Sequence, residues 1–323
     1  MRRSRLGHST VEITELSFGA AAIGNLFTEV DPEDAAATVA AAWDEGVRHF
    51  DTAPHYGLGL SERRLGEALR DKPRQAYTVS TKVGRLLDPL PAEAAALQGL
   101  SEGYAVPHTH RRRWDFSADG IRRSIEDSLE RLGLDRIDVV HLHDPDDHGE
   151  AAFREGYPAL ERLRAEGVVG AIGAGMNQTA MLTRFLRETD VDAVLCAGRH
   201  TLLDHEALDE LLPEALARGR AVIVGGVFNS GLLADPRPGA TYDYQAAPAP
   251  LLEQALRLRN ITEKHGVPLR AAALHHPLRH PAVAGVLVGA RSPREIRDAA
   301  AQLRTEVPDA LWEDLRAEGL LPS

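Results

Sequence analysis

Residues 49–66 read HFDTAPHYGLGLSERRLG. A short apolar run ends in an acid at Asp51. A tight loop with Pro54, Gly57 and Gly59 then presents the phenol of Tyr56, and a helix is expected to open at Ser61 with Leu65 and Leu69 on one face. This is one strand–loop–helix unit with reactive groups placed just past the end of its strand.

The same unit recurs on both sides. Apolar runs are expected as strands near 16–20, 47–51, 77–82, 137–143, 168–173, 191–197, 221–224 and 283–288, with amphipathic helices between them. The helix signals are explicit. Asp31-Pro32-Glu33-Asp34 supplies a cap, a proline at the first helical position and acids in the first turn. Ile121, Ile125, Leu129 and Leu132 keep helical spacing up to Gly133. Runs such as AVIV and VLV are apolar on both faces, which implies a parallel sheet. Eight such units in 323 residues, with no linker, predict one α/β domain over 1–323: a (β/α)8 TIM barrel with an N-terminal β-hairpin and extra C-terminal helices. No Gly-x-Gly-x-x-Gly follows a strand, so a Rossmann domain is not expected. Residues 83–116 and 225–249 show no sustained period and are expected as long functional loops.

Composition narrows the partners. The formal charge is −11, with 37 basic and 48 acidic residues, and no basic block. Nucleic acid and anionic membrane are therefore not expected as partners. The Arg run at 111–113 is better explained as a solvated loop, since three charges neutralise few phosphates. Cys196 is the single cysteine, which leaves no internal disulfide or multi-cysteine metal site, and it reads as a buried small hydrophobe. The basic start MRRSRLGHST has no apolar run after it, and no apolar stretch reaches the ~18 residues of a membrane span. A cytoplasmic protein is expected, a monomer or a small homo-oligomer.

In such a barrel, chemistry collects at the C-terminal ends of the strands. Reading those ends gives Asp51 with Tyr56 in the following loop, then Lys82, then His143. Individually, each residue has an ordinary structural explanation. An acid, a phenol, an amine and an imidazole from three consecutive strands are harder to explain that way. Together they suit proton transfer at a carbonyl or alcohol. A free phenol has a pKa near ~10, and an ammonium ~4 Å away at an effective dielectric of ~20 favours phenolate by roughly 4 kcal/mol, about 3 pKa units. On this reading Asp51 holds Lys82, His143 orients the substrate oxygen, and the missing electron sink must be a hydride carrier.

DTAPHYG, the STK that ends the third strand and IDVVHLHDP at 137–145 resemble the tetrad motifs of the aldo-keto reductases in order and spacing. The resemblance runs from the Gly19 strand to GARSP at 289–293 and implies a barrel that binds NAD or NADP at its rim. It maps Asp51, Tyr56, Lys82 and His143 onto the family's Asp, Tyr, Lys and His. It places His143, not His141, in that set, because Pro145 follows two residues later. Two features depart from the family pattern. Where the family commonly has Ser-Asn, the run is GAGMN, which shifts the amide-holding role to Asn177. The aromatic residue that often stacks on nicotinamide is absent near Gly225, which leaves Phe228 as a substitute or no aromatic partner. The resemblance further implies cofactor contacts at Asn229, Ser230, Gly231, Gly289, Arg291 and Glu295, and substrate contacts at His55, Trp114 and Asp144, with no metal.

Glu295 stands where NADP-preferring members often carry a basic residue. A carboxylate there would accept from ribose hydroxyls and repel a 2′-phosphate, which points to NAD, whereas Arg291 and Arg294 pull toward phosphate. The GGVFNSGLL and HDPDDH runs look most like a subgroup acting on D-threo-aldoses such as L-fucose, or on pyridoxal. The small-molecule substrate implied is therefore a sugar oxidised at C1, with pyridoxal or a general aldehyde or ketone as alternatives. Two readings of other classes stay open: a metal-dependent barrel hydrolase built on His141-x-His143 and the acids after it, and a non-enzymatic nucleotide-binding regulator.

Overall fold

The computed structural model describes residues 1–93 and 99–322. Eight parallel strands close a barrel in chain order: β1 (Leu16–Gly19), β2 (His49–Asp51), β3 (Thr78–Val83), β4 (Ile137–His143), β5 (Val169–Met176), β6 (Ala193–Ala197), β7 (Ala221–Gly225) and β8 (Val283–Gly289). β8 pairs with β1, and β5 with β6, so no edge remains in this sheet. The expected barrel is therefore present, with each strand within a few residues of its expected place.

Alternation along β4 shows how the sequence sorts its residues. Val140 and Leu142 join the layer between barrel and helices, beside Ile172, Val194 and Val222. Val139 faces a separate interior cluster with Ala171, Leu195, Ile223 and Ala284. Period two then puts His141 and His143 inside the barrel above Val139. Leu6 and Ile13 of the antiparallel hairpin Arg3–Arg5/Glu12–Thr14 belong to the same interior cluster, so the hairpin closes that end.

The outer layer begins with α1 (Pro32–Asp44), α2 (Leu60–Leu69) and α3 (Ala118–Leu132). Asp31 caps α1 by accepting from the Glu33 amide at 2.8 Å, as expected. The expected opening of α2 at Ser61, with that serine as its cap, is corrected. Its N-cap is Gly59, at φ +78°, and the Ser61 hydroxyl instead donates to the Ala20 carbonyl at 2.8 Å and meets Thr52 Oγ1. The remaining helices are α4 (Tyr157–Ala165), α5 (Thr179–Glu188), α6 (Leu211–Ala217), α7 (Ala249–Lys264), α8 (Leu269–Leu278), α9 (Pro293–Leu303) and α10 (Asp309–Ala317). Trp312 and Leu315 of α10 pack with Leu258 of α7 and with Leu202 and Leu233, forming a second core outside the barrel. No described helix is long and apolar enough to cross a membrane.

The two long loops are partly ordered as sheet. Arg85–Pro89 pairs antiparallel with His110–Trp114, and Thr241–Tyr242 with Gln245–Ala246. Local period did not reveal the first hairpin, because its strands lie about 20 residues apart in the chain. Within 83–116, residues 94–98 lie outside the described residues.

α2 and α3 approach closely at Gly66, where an added Cβ would lie 2.0 Å from the Leu132 carbonyl oxygen. Glu62 anchors the same junction. It is fully buried, accepts from Thr81 Oγ1 at 2.8 Å and from Arg131 Nε at 2.6 Å. Gly66→Ala should therefore overpack this junction and lower unfolding stability by ~1–3 kcal/mol in urea titrations. An unchanged denaturation midpoint would show that the two helices separate at no cost.

Candidate active site

Parallel strands in register bring three side chains to one rim. Asp51 pairs with Ser80 in register, Lys82 with His141, and His143 with Gly175. Asp51, Lys82 and His143 are all buried. The Lys82 ammonium donates to Asp51 Oδ2 at 2.6 Å and to the Thr52 carbonyl at 3.0 Å. Asp51 Oδ1 accepts from Ser80 Oγ at 2.7 Å. Ser80 Oγ also lies 3.0 Å from His49 Nε2, and His49 Nδ1 lies 2.9 Å from Ser17 Oγ. Burial pushes His49 down to about 4, so its ring is neutral. A neutral ring that donates through Nε2 to Ser80 leaves the Ser80 proton for Asp51. The pair thus continues as a hydrogen-bonded chain from β3 across β2 to β1.

Tyr56 is carried by a loop that needs glycine. Gly57 has φ +62°, and a Cβ there would lie 2.2 Å from the Gly24 carbonyl oxygen. The loop sets the Tyr56 ring over Lys82, with Nζ 4.6 Å from the ring centroid, and edge-on to His143 at 5.8 Å. The tetrad that the sequence suggested is therefore assembled in space.

The expected depression of the phenol pKa is corrected. Burial raises Tyr56 well above its ordinary value, and the charges of Asp51 and Asp144 add to the shift, while Arg85 opposes it. The physical reason is that the Lys82 charge is already matched by Asp51 at 2.6 Å. Before any other cation arrives, the phenol holds its proton. His143 moves the other way: burial first, then Arg85 and Lys82, hold it well below the ordinary imidazole value and therefore neutral.

His55, Trp114 and Asp144, named from the sequence, do stand at this mouth, whereas Tyr104, Arg85 and the part played by Arg112 were missed. Tyr104 is buried and stacks on Tyr56 at 6.1 Å and 27°. Arg85 leads the hairpin that follows β3. Its guanidinium reaches Asp144 Oδ2 at 2.5 Å, lies 3.4 Å from His55 Nδ1, and rests 4.3 Å from the Trp114 ring centroid. Burial first, then the charges of Arg85, Arg112 and Lys82, push His55 down to about 2. Asp144 follows β4 directly, at φ +38°, and its amide donates to the Gly175 carbonyl at 3.0 Å. The His148 ring packs tilted against Trp114, with centroids 4.6 Å apart. The solvated-loop reading of 111–113 is corrected in part: the run lies on a strand, and Arg111 is exposed but Arg112 is not. The Arg112 side chain is only 6 % exposed, and it donates to the Ser101 hydroxyl at 2.9 Å and the His55 carbonyl at 3.0 Å. Position alone could have flagged Arg85, which directly follows the Gly84 turn after β3. Tyr104 carried no signal, because it reaches the site through tertiary folding.

The residues suggested for a cofactor lie at or past the ends of β5, β7 and β8. Asn177 donates to the Ala197 carbonyl at 2.8 Å. Gly198 has no side chain between Asn177 and Asp243: a Cβ there would sit 3.9 Å from each. Asn229 is buried with its Oδ1 lacking a partner among the described residues, and Asn229, Ser230 and Gly231 have φ of +45°, +57° and +104°. Phe228 is half-buried and packs against both large hydrophobic clusters. Gly289 pairs with Gly19 at the end of β8. Beyond it, Ser292 caps α9 and Glu295 accepts from the Arg291 amide at 2.8 Å. Arg291 also reaches the Leu26 carbonyl at 3.3 Å. An orphaned buried amide oxygen, glycine-lined backbone and the N-terminus of α9 fit an extended, anionic dinucleotide. Among the described residues, no group of three His, Cys, Asp or Glu side chains is placed to hold a metal ion.

The comparisons agree with this geometry. Residues 15–317 match the model of the "Aldo/keto reductase family". The chain is 45 % identical to a D-threo-aldose 1-dehydrogenase of Pseudomonas sp., over 96 % of this chain and 95 % of that protein. It is 41 % identical to a pyridoxal 4-dehydrogenase of Microbacterium luteolum, over 98 % and 97 %. Among solved structures, an aldo-keto reductase from Bacillus halodurans in its holo form superposes with a TM-score of 0.76 at 25 % identity, covering 98 % of this chain and 96 % of that one. The chain belongs to the aldo/keto reductase family and is an oxidoreductase.

Proposed function

We propose that this protein oxidises an aldose of the L-fucose or D-threo type at C1, giving the lactone, with NAD as the preferred acceptor. The carrying observation is the Tyr56 phenol held between Lys82 and neutral His143 at the barrel mouth. A nicotinamide dinucleotide, when bound, would supply the site for the hydride that leaves C1. Asn177, Asn229, Ser230 and Gly231 would hold it on one side of the mouth, and Gly289, Arg291 and Glu295 would hold its adenosine end. Phe228 would supply whatever aromatic contact the nicotinamide ring receives.

The chain's own residues handle the proton. In oxidation, the C1 hydroxyl gives its proton to the Tyr56 oxygen as the C1–H bond breaks. In reduction, Tyr56 returns it to the developing alkoxide. His143, lacking charge, donates a hydrogen bond to the same oxygen and fixes its position. Lys82, kept in place by Asp51, stabilises the phenolate while it exists. Support for a sugar comes from the 45 % identical relative and from a rim of His55, Asp144 and His148 able to meet hydroxyls. A second reading, pyridoxal as substrate, has its own support in the half-exposed Trp114 face and the 41 % identical relative.

The reading is tested by following NADH formation with L-fucose, D-arabinose, pyridoxal and small alcohols side by side. Robust NADPH-dependent aldehyde reduction with no sugar oxidation at alkaline pH would overturn it. Tyr56→Phe should lower kcat by at least ~100-fold with cofactor Kd little changed, because only the proton-transfer group is lost. Near-normal turnover would remove Tyr56 from the chemistry.

The raised Tyr56 pKa gives a sign for pH. Oxidation needs the deprotonated phenol, so kcat/KM for sugar oxidation should climb with pH through the alkaline range, while aldehyde reduction should hold or fall. An oxidation rate that is flat between pH 7 and 10, in steps of about one unit, would contradict this assignment.

The cofactor is tested by kcat/KM for NAD against NADP with one substrate. Glu295 lies in the first turn of α9, where a carboxylate would repel a 2′-phosphate and accept from ribose hydroxyls. Wild type should prefer NAD, and Glu295→Arg should shift the ratio toward NADP by ~10-fold or more. A wild-type preference for NADP would refute the role given to Glu295.

A further inference from the structure

Three consecutive barrel loops converge on one ion pair beside the Tyr56 phenol. Arg85 comes from the segment after β3, Asp144 from the end of β4, and His55 from the loop after β2. Both members of the pair act on Tyr56 by charge, Asp144 raising its pKa and Arg85 lowering it, so the pair lies within electrostatic reach of the reacting atoms. The Arg85 side chain is 12 % exposed and that of Asp144 35 %. One face of Arg85 rests on Trp114. Its Nε has no partner among the described residues.

Among the described residues, the other cations that face Tyr56 and His55 are also matched. Lys82 is matched by Asp51, and Arg112 lies 3.6 Å from Glu102 and donates to Ser101 and His55 backbone and hydroxyl oxygens. His55 and His143 are neutral. The mouth therefore offers donors and acceptors without an uncompensated charge.

We infer that the Arg85–Asp144 ion pair is a charge filter, which admits uncharged, hydroxyl-bearing or aromatic aldehydes and alcohols and rejects anionic ones such as sugar acids and sugar phosphates. Guanidinium and carboxylate together present donors and acceptors side by side, which matches hydroxyl groups. A carboxylate or phosphate on the substrate would have to compete with Asp144 for Arg85 and would lie against a like charge in a partly desolvated site. Asp144 is thus a specificity-determining residue through the charge it cancels, in addition to any hydroxyl it contacts. This inference rests on the substrate entering at the mouth proposed above, though not on its being a sugar.

The test uses matched aldehydes, benzaldehyde and 4-carboxybenzaldehyde, reduced with NADH, and reads the ratio of their kcat/KM within each variant. A general loss of activity cancels in that ratio. Wild type should favour the neutral aldehyde by at least ~10-fold. Asp144→Asn, which frees Arg85, should raise the relative use of 4-carboxybenzaldehyde by ~10-fold or more, and Arg85→Gln/Asp144→Asn should cancel that gain.

Arg85→Gln alone leaves Asp144 uncompensated. It should instead raise the relative use of a cationic aldehyde, 4-(trimethylammonio)benzaldehyde, by a similar factor. This arm keeps the test decisive if Asp144→Asn does not fold. Binding gives a readout without turnover: Trp114 fluorescence should respond to benzoate in Asp144→Asn but not in wild type. Equal wild-type use of both aldehydes, or ratios unmoved in Asp144→Asn and Arg85→Gln, would overturn the filter. Failure to oxidise any sugar, with these ratios as expected, would overturn only the sugar reading.

Discussion

The Lys82–Asp51 pair is the constraint on which the mouth of the barrel depends. Removing two opposite charges from water is costly, and their attraction repays that cost only when their remaining hydrogen-bonding positions are filled. Here Lys82 also donates to the Thr52 carbonyl, and Asp51 also accepts from Ser80, whose oxygen meets His49 and through it Ser17. Each partner stands on a different strand from its neighbour in this chain. The charges therefore tie β1, β2 and β3 in one register, and a shift by one residue would turn every member toward the outer helices.

The same pair fixes the electrostatics above it. With Lys82 matched by Asp51, burial dominates the phenol, and Tyr56 keeps its proton. Below the pair, His141 lies fully buried with neither ring nitrogen partnered among the described residues, and burial pushes it down to about 3. The barrel thus grades from an apolar floor at Val139 and Ile223, through this uncharged imidazole, to paired charges at the rim.

Around the rim, the hairpin Arg85–Pro89/His110–Trp114 does for the substrate side what the strands do for the tetrad. It brings Arg85 and Trp114 into register opposite each other and lays the guanidinium on the indole. Tyr104, from the chain between the hairpin strands, covers Tyr56. On the opposite side, Phe27 meets Tyr244 of the Thr241–Ala246 hairpin, with centroids 5.3 Å apart. The two irregular stretches of sequence are thus the walls of the mouth.

The barrel was legible because parallel strands are buried on both faces and announce themselves as unbroken apolar runs, while capped helices mark the intervals. Asp51, Lys82 and His143 were legible for a related reason: strand order alone delivers the ends of β2, β3 and β4 to one rim. Ser61 misled because a serine that opens a helix usually caps it, whereas here a left-handed Gly59 opens α2 and frees the hydroxyl to hold Ala20. The protonation of Tyr56 was not legible, since it is decided by how closely Asp51 approaches Lys82 and by how much water the loops exclude. Arg85 and Arg112 were hidden because hairpin pairing joins Arg85 to Trp114 and Leu87 to Arg112 across a long connection, and Tyr104 because it lies within that connection, with no period to reveal them. Sequence determined which strands meet and which side chains end them. Tertiary structure decided their charge states, because pairing and desolvation depend on distances that no local pattern encodes.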